Sequence, residues 1–323
     1  MRNFAIFILA ATALTVSNCG KKTNRVQADG SSTVYPITSA AAEEFGSQGG
    51  GVQVTVGISG TGGGFKKFCN NETDISDASR YIKEEEIKAC ASKNIEFIEL
   101  PIGYDGISIV LNKENNWAKE ITVDQLKKIY QKEGYAKTWK DLDSSWPEIE
   151  IKAFAPGQDS GTFDYFAEEI VKKKDDFRQQ GVSFSEDDNT IVTGVAGTKG
   201  AIGFFGVAYY ENNKDKLAVA KIVNPTTKEA VEPTFENIKT NKYSPLSRPI
   251  FIYTKIGTTQ NESADKFIKY FLDNAAKFTK ETGYIPLPDE IYEKVKKRYT
   301  EKVKGSVVKS KEDKHKPLTE LFQ

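Results

Sequence analysis

Val26-Gln27-Ala28-Asp29-Gly30-Ser31-Ser32-Thr33-Val34-Tyr35-Pro36 passes from an apolar strand pattern through a glycine and three hydroxyls to a proline. Val26 to Ala28 reads as a strand, Gly30 to Thr33 as a loop and Ile37 to Phe45 as a helix rich in Ala and Glu. The unit recurs. Val52 to Ile58 is a β-rich run, Ser59 to Gly64 a glycine loop and Phe65 to Cys69 a helical start. Ile149 to Phe154 reads as a strand, and Asp159-Ser160-Gly161-Thr162 leads into an amphipathic helix from Phe163 to Lys174. Around these lie expected strands at Glu96 to Leu100 and Ile107 to Leu111 flanking Pro101 to Gly106, and at Ala201 to Phe205 and Arg248 to Tyr253. Helices are expected at Thr122 to Gln131 and Ala264 to Phe278. Alternating strands and helices predict an α/β chain, with parallel sheets covered by helices.

The ends and the composition narrow the class. Arg2 and the apolar run Phe4 to Val16 have the length of a signal-peptide core, too short for a membrane-crossing helix. Residues 1–18 are therefore expected to be removed, leaving Cys19, preceded by Val16-Ser17-Asn18, as a lipidated first residue and residues 19–25 as a polar tether. An ordinary cleavage nearby, with Cys19 free, is the alternative. The remaining chain has 44 basic and 45 acidic residues, a formal charge of −1, so it has no overall field for nucleic acid. At 38% hydrophobic residues, about 300 residues suffice for two lobes. Cys69 and Cys90 are left to form a disulfide in an oxidising exterior or to stay as buried thiols. Lys294 to Lys316, which contains the sole histidine, His315, is expected to be an exposed helix end running into a mobile tail.

The three glycine and hydroxyl loops each precede an expected helix start, where unpaired N–H groups and the positive end of the macrodipole attract anions. Glycine permits close approach and Ser or Thr adds a rotatable donor. Any one loop alone is better explained by simple capping; three together suit an oxyanion that needs many donors. Asp74-Ile75-Ser76-Asp77-Ala78-Ser79-Arg80 adds a short strand with Ser79 and Arg80 at its tip, the end where open α/β sheets bind ligands. Arg80 can grip a phosphate through two N–H groups or pair with the Glu84 to Glu86 cluster.

Gly30-Ser31-Ser32-Thr33-Val34-Tyr35-Pro36, Ser59-Gly60-Thr61-Gly62-Gly63-Gly64, Asp77-Ala78-Ser79-Arg80, Asp159-Ser160-Gly161-Thr162 and Ala201-Ile202-Gly203-Phe204 occur in this order. In order and rough spacing they resemble the periplasmic phosphate-binding proteins of the phosphate-specific ABC transport system, from about residue 28 to Pro288. The resemblance implies a type II periplasmic binding protein fold, two α/β lobes joined by two crossing strands, closing round phosphate and delivering it to an ABC importer. On the expected division, residues 26–103 plus 249–323 form one lobe and 104–248 the other, with crossings near Tyr104-Asp105-Gly106 and Ser247-Arg248-Pro249.

Carried over by position, Ser32, Thr33 and Thr61 are expected to give hydroxyl donors and Val34 a backbone amide. Ser160, Gly161 and Thr162 are expected to form the second lobe's loop. Two departures stand out. Ala155-Pro156-Gly157-Gln158 replaces the arginine that the best-known members carry before the Ser-Gly-Thr loop, leaving Arg80 as the substitute cation. Ser79 stands where those members place an aspartate, so Asp77 and Asp159 are the candidate acceptors for the proton of monohydrogen phosphate. The resemblance also favours phosphate over sulfate or molybdate, and a monomer with neither cofactor nor metal. A serine hydrolase at Ser160 is the rival reading; it lacks a histidine base in the body of the chain.

Overall fold

The computed structural model describes residues 25–48, 51–158, 160–185, 187–310 and 312–322. The proposed leader, Cys19 and Asp159 lie outside them. Its strands are β1 (Arg25–Gly30), β2 (Gln53–Ile58), β3 (Ile75–Ala78), β4 (Phe97–Leu111), β5 (Glu120–Thr122), β6 (Lys152–Pro156), β7 (Val182–Ser185), β8 (Ala201–Gly206), β9 (Ala218–Val219), β10 (Lys221–Val223), β11 (Ala230–Val231) and β12 (Ser247–Lys255). The helices are α1 (Tyr35–Ser47), α2 (Gly60–Cys69), α3 (Glu84–Ser92), α4 (Val123–Tyr130), α5 (Gly161–Phe166), α6 (Asp188–Gly197), α7 (Val207–Glu211), α8 (Phe235–Lys239), α9 (Glu262–Glu281), α10 (Asp289–Thr300) and α11 (Leu318–Leu321). Among the described residues no helix is long and apolar enough to cross a membrane.

The hydrogen-bonded path runs β2-β1-β3-β12-β4-β8-β6-β7, with β9 beside β4, and β11-β10-β5 form a small separate sheet. Two strands carry the path from one lobe to the other. Residues 97–106 of β4 pair antiparallel with β12, and from Ile107 onward β4 pairs with β8 instead. On the first-lobe side β1 is parallel to β2 and β3; on the second-lobe side β6 is parallel to β7 and β8. This is the two-lobed α/β fold that the strand-helix alternation and the resemblance predicted.

Three local expectations need correction. The two strands expected around Pro101 are one fifteen-residue strand. Pro101, which has no N–H to give a ladder, stands beside a register shift between Ile250 and Phe251, where a bulge tolerates it. The glycine loop is already helix, because α2 begins at Gly60. A Cβ on Gly64 would come within 2.6 Å of the Gly30 Cα, so the bare backbone lets α2 lie directly on the end of β1. The basic tail is docked. Gly305 N donates to Phe97 O (2.8 Å), Ser306 Oγ and Val307 N both donate to the buried Glu99 Oε1 (2.9 Å each), and Leu318 and Phe322 are buried.

Each lobe rests its glycine and hydroxyl loop on aromatics. Under α2, Phe65 meets Tyr253 at 4.8 Å, and the Tyr253 hydroxyl donates to Glu99 Oε2 at 2.6 Å. Beneath α5, Phe166 stacks on Phe204 (3.8 Å, 10°), with Tyr130 and Phe177 around them. Burying one such ring contributes about 1.5–3 kcal/mol, so these pedestals fix where the loops point. Cys69 at the end of α2 and Cys90 in α3 are disulfide-bonded, at a sequence separation of 21.

Candidate anion site

The loop after β1 is made by local bonds. Ser31 N donates to Asp77 O (3.0 Å), and Val34 N and Tyr35 N both donate to Ser31 O (3.2 and 3.0 Å), turning the chain into α1 with a proline in its first turn. The Val34 amide is therefore engaged inside the turn. The two hydroxyls between reach across to the other lobe: Ser32 Oγ donates to Asp164 Oδ2 (3.0 Å) and Thr33 Oγ1 to Gly161 O (3.2 Å).

At the start of α2, Ser59 Oγ donates to Asp29, which also accepts from Lys67 Nζ at 2.7 Å, so a buried carboxylate at the end of β1 anchors the helix entry. Thr61 Oγ1 accepts from Ser79 N (3.2 Å) and lies 3.1 Å from Ser79 Oγ, bringing two of the expected site residues together. Arg80 is beside them, its Nη2 3.8 Å from the position of a Cβ on Gly62. Its guanidinium forms a parallel pair of bonds to Glu86 (2.9 and 2.7 Å) and a third to Tyr81 O (3.2 Å). The ion pair with the acidic cluster is thus realised at one of its three glutamates.

In the second lobe Ser160 caps α5, its Oγ accepting from Thr162 N at 3.2 Å. Phe163, Tyr165 and Phe166 are buried beneath, and a π-helical turn, Ala167–Val171, follows. Gly161 is where the lobes meet: a Cβ there would lie 2.5 Å from the Thr33 Cα. Asp164, paired with Lys174, receives Ser32 at the same seam.

The expected proton acceptor Asp77 sits elsewhere. Its side chain is fully buried under α1, with Oδ1 accepting from Thr38 (3.0 Å) and Oδ2 without a partner. Burial pushes its carboxyl up to about 7; the Thr38 bond opposes this and nearby Asp29 reinforces it. It makes no bond to the cleft hydroxyls.

Reading the sequence missed Arg248, taken only as part of a crossing. From β12 its Nη2 donates to Thr33 Oγ1 (3.2 Å) and pairs loosely with Asp105 of β4 (3.5 Å). Its Cζ lies 3.5 Å from the centre of the Tyr165 ring, and Glu168 Oε2 is 3.9 Å from Nη1. Asp105 is buried and its pKa is raised by that burial, against the pull of Arg248. The signal that could have found the pair is an opposite charge near the crossing in each of two apolar strands, Asp105 in β4 and Arg248 in β12, although each strand carries one further charge, Glu99 and Lys255. The site is rich in hydroxyl donors and guanidinium, and among the described residues no acid, cysteine and histidine cluster suits a metal. Such a cleft can hold an oxyanion.

Residues 17–275 match the family model described as a PBP superfamily domain. Protein SphX of Synechococcus elongatus is 42% identical over 95% of this chain and 90% of its own length. The phosphate-binding protein PstS of Staphylococcus saprophyticus is 42% identical over 85% of this chain and 84% of its own. A crystal structure described as a possible phosphate binding protein from Planctomyces limnophilus superimposes with a TM-score of 0.82 at 38% identity, covering 86% of this chain and 98% of that one. Sequence blocks, two-lobed fold and these relatives agree: the chain belongs to the PBP superfamily and, within it, to the PstS-like phosphate-binding proteins.

Proposed function

We propose that the protein is an extracytoplasmic receptor that closes its lobes round one phosphate ion and passes it to an ABC importer. The observation that carries this is the seam at Thr33 and Gly161, where the hydroxyl loops of the two lobes and a guanidinium face one another. Charge-assisted bonds from such groups suit a tetrahedral oxyanion. Relatives with 42% identity that carry the name phosphate-binding protein support phosphate as the ion. The hinge on this reading lies near 104–106 and 247–249, dividing the chain into 26–103 plus 249–323 and 104–248.

Ser32, Thr33, Thr61, Ser79, Arg80, Ser160, Gly161 and Thr162 are the proposed ligand-facing set. Asp77 is set aside as the acceptor of the ligand proton because its carboxylate is held under α1, and Asp159 keeps that role in the proposal. We read the protein as a monomeric binder and not a hydrolase: Ser160 Oγ is engaged as a helix cap, and the only histidine in the chain, His315, is near its end. Diacylation of Cys19 would hold it at the membrane surface; mass spectrometry of the native N-terminus tests this, and an unacylated native N-terminus would refute it.

Calorimetric titration of purified protein with phosphate, sulfate and molybdate tests the function. Tight phosphate binding with weak sulfate binding is expected, and a preference for sulfate would overturn the assignment. Turnover of a chromogenic phosphate ester would overturn the non-enzymatic reading.

A further inference from the structure

We infer that Arg248, on the crossing strand, binds the anion directly in the closed cleft and couples its charge to hinge closure; this rests on the reading of the cleft as a phosphate site. The two arginines near the cleft are not equally committed. Arg80 has three acceptors within 3.2 Å. Arg248 has one at 3.2 Å, one carboxylate oxygen at 3.5 Å and another at 3.9 Å, and its Nε is buried without a partner. Its side chain is only 12% exposed. A guanidinium has five N–H groups. Withdrawn from water and short of acceptors, it gains by taking an anion.

Its placement gives that gain a mechanical consequence. Arg248 touches Thr33 in the first lobe's loop, and it is stacked on Tyr165 and faces Glu168 in the second lobe. Tyr165 is itself fixed by a 2.7 Å bond from its hydroxyl to Pro245 O, just before β12. Parting the lobes separates Thr33 from Gly161 and leaves Arg248 with partners on one side only. Closure therefore assembles the pocket round a cation that belongs to the hinge strand. The ring under the guanidinium sets its plane, which suits a two-pronged grip on a tetrahedral oxyanion; lysine, a point charge on a flexible stem, cannot reproduce it.

The test titrates wild type, Arg248→Gln, Arg248→Lys and Arg80→Ala with inorganic phosphate, and follows compaction by small-angle X-ray scattering and folding by thermal melting. Arg248→Gln should lose affinity by about 100-fold or more and fail to compact at phosphate levels that saturate wild type. Arg248→Lys should fold cooperatively and still lose more than about tenfold, which keeps the test decisive if the glutamine variant does not fold. A folded Arg248→Gln or Arg248→Lys with affinity within about threefold of wild type would overturn the inference while leaving the receptor reading intact. Wild type that binds no phosphate would instead overturn the receptor reading, and the inference with it.

Discussion

The tip of β3 and the crossing of β4 with β12 each combine a buried aspartate with an arginine, and they arrange the pair in opposite ways. At β3 the charges are separated: Asp77 faces Thr38 under α1, while Arg80, three residues on, is neutralised by Glu86 of another helix. At the crossing they are joined, Arg248 and Asp105 being register partners on adjacent strands. An acid buried alone is held towards its protonated form, whereas an acid beside a cation helps to keep that cation in place. The β3 tip is thus a pre-neutralised platform, and the crossing keeps an incompletely coordinated charge where the lobes meet.

Variants of the two aspartates should move stability in opposite directions. Asp105→Asn leaves Arg248 buried and charged, and is expected to destabilise the fold by about 3 kcal/mol at pH 8, measured by urea unfolding. Acidification should not close that gap: burial holds the Asp105 carboxyl above its ordinary value, so wild type gains stability as Asp105 protonates. Asp77→Asn should instead stabilise the protein above pH 7. Its folded pKa, about 7, exceeds the unfolded value near 3.9, so wild-type stability falls as pH rises between those values. The advantage of the variant should grow over that window by up to about 4 kcal/mol and be small at pH 4. A pH-independent difference would show that Asp77 is not buried alone.

Replacing Cys69 and Cys90 by serine should remove about 3 kcal/mol of stability and loosen α3, which carries Glu86. Phosphate affinity should then change through Arg80 and not Arg248; an additive loss in the triple variant with Arg80→Ala would contradict that route. Arg80→Ala alone should weaken phosphate binding by about 1.5–3 kcal/mol, the size of a hydrogen bond to a charged group. Thr33→Val, which cuts one bond to Arg248 and one to Gly161, should have the smallest effect, about 1 kcal/mol in the same titration.

The local parts of the fold were legible in the sequence. The helix starts at Gly30 to Pro36 and Ser160 to Thr162 are made by bonds between near neighbours, Val34 N and Tyr35 N to Ser31 O and Thr162 N to Ser160 Oγ, so strand, loop and helix start could be read directly. Arg248 could not, because its meaning comes from register with Asp105, 143 residues earlier. Pro101 looked like a strand breaker because a bulge is set by the partner strand. The lysine-rich tail looked mobile because its anchor, buried Glu99, lies about 200 residues before it. Composition shows how soluble such a segment is; it does not show which buried acceptor awaits it.

The position of β12 between β3 and β4 has a consequence for how the chain is made. The first lobe cannot complete its sheet until residues 247–255 are available. Later still in the sequence, α9 packs on α1, with Phe45 and Phe267 rings 5.4 Å apart, and Ile285 exchanges backbone bonds with Tyr104 of β4. The second lobe's helices and strands, from β5 to α8, lie in one uninterrupted stretch of sequence. During synthesis, the later lobe in the numbering can therefore condense first, while β1 to β3 wait with an unpaired edge for a strand about 170 residues away. Such a waiting edge is where a premature partner could add, and the late arrival of β12 both closes it and brings in Arg248.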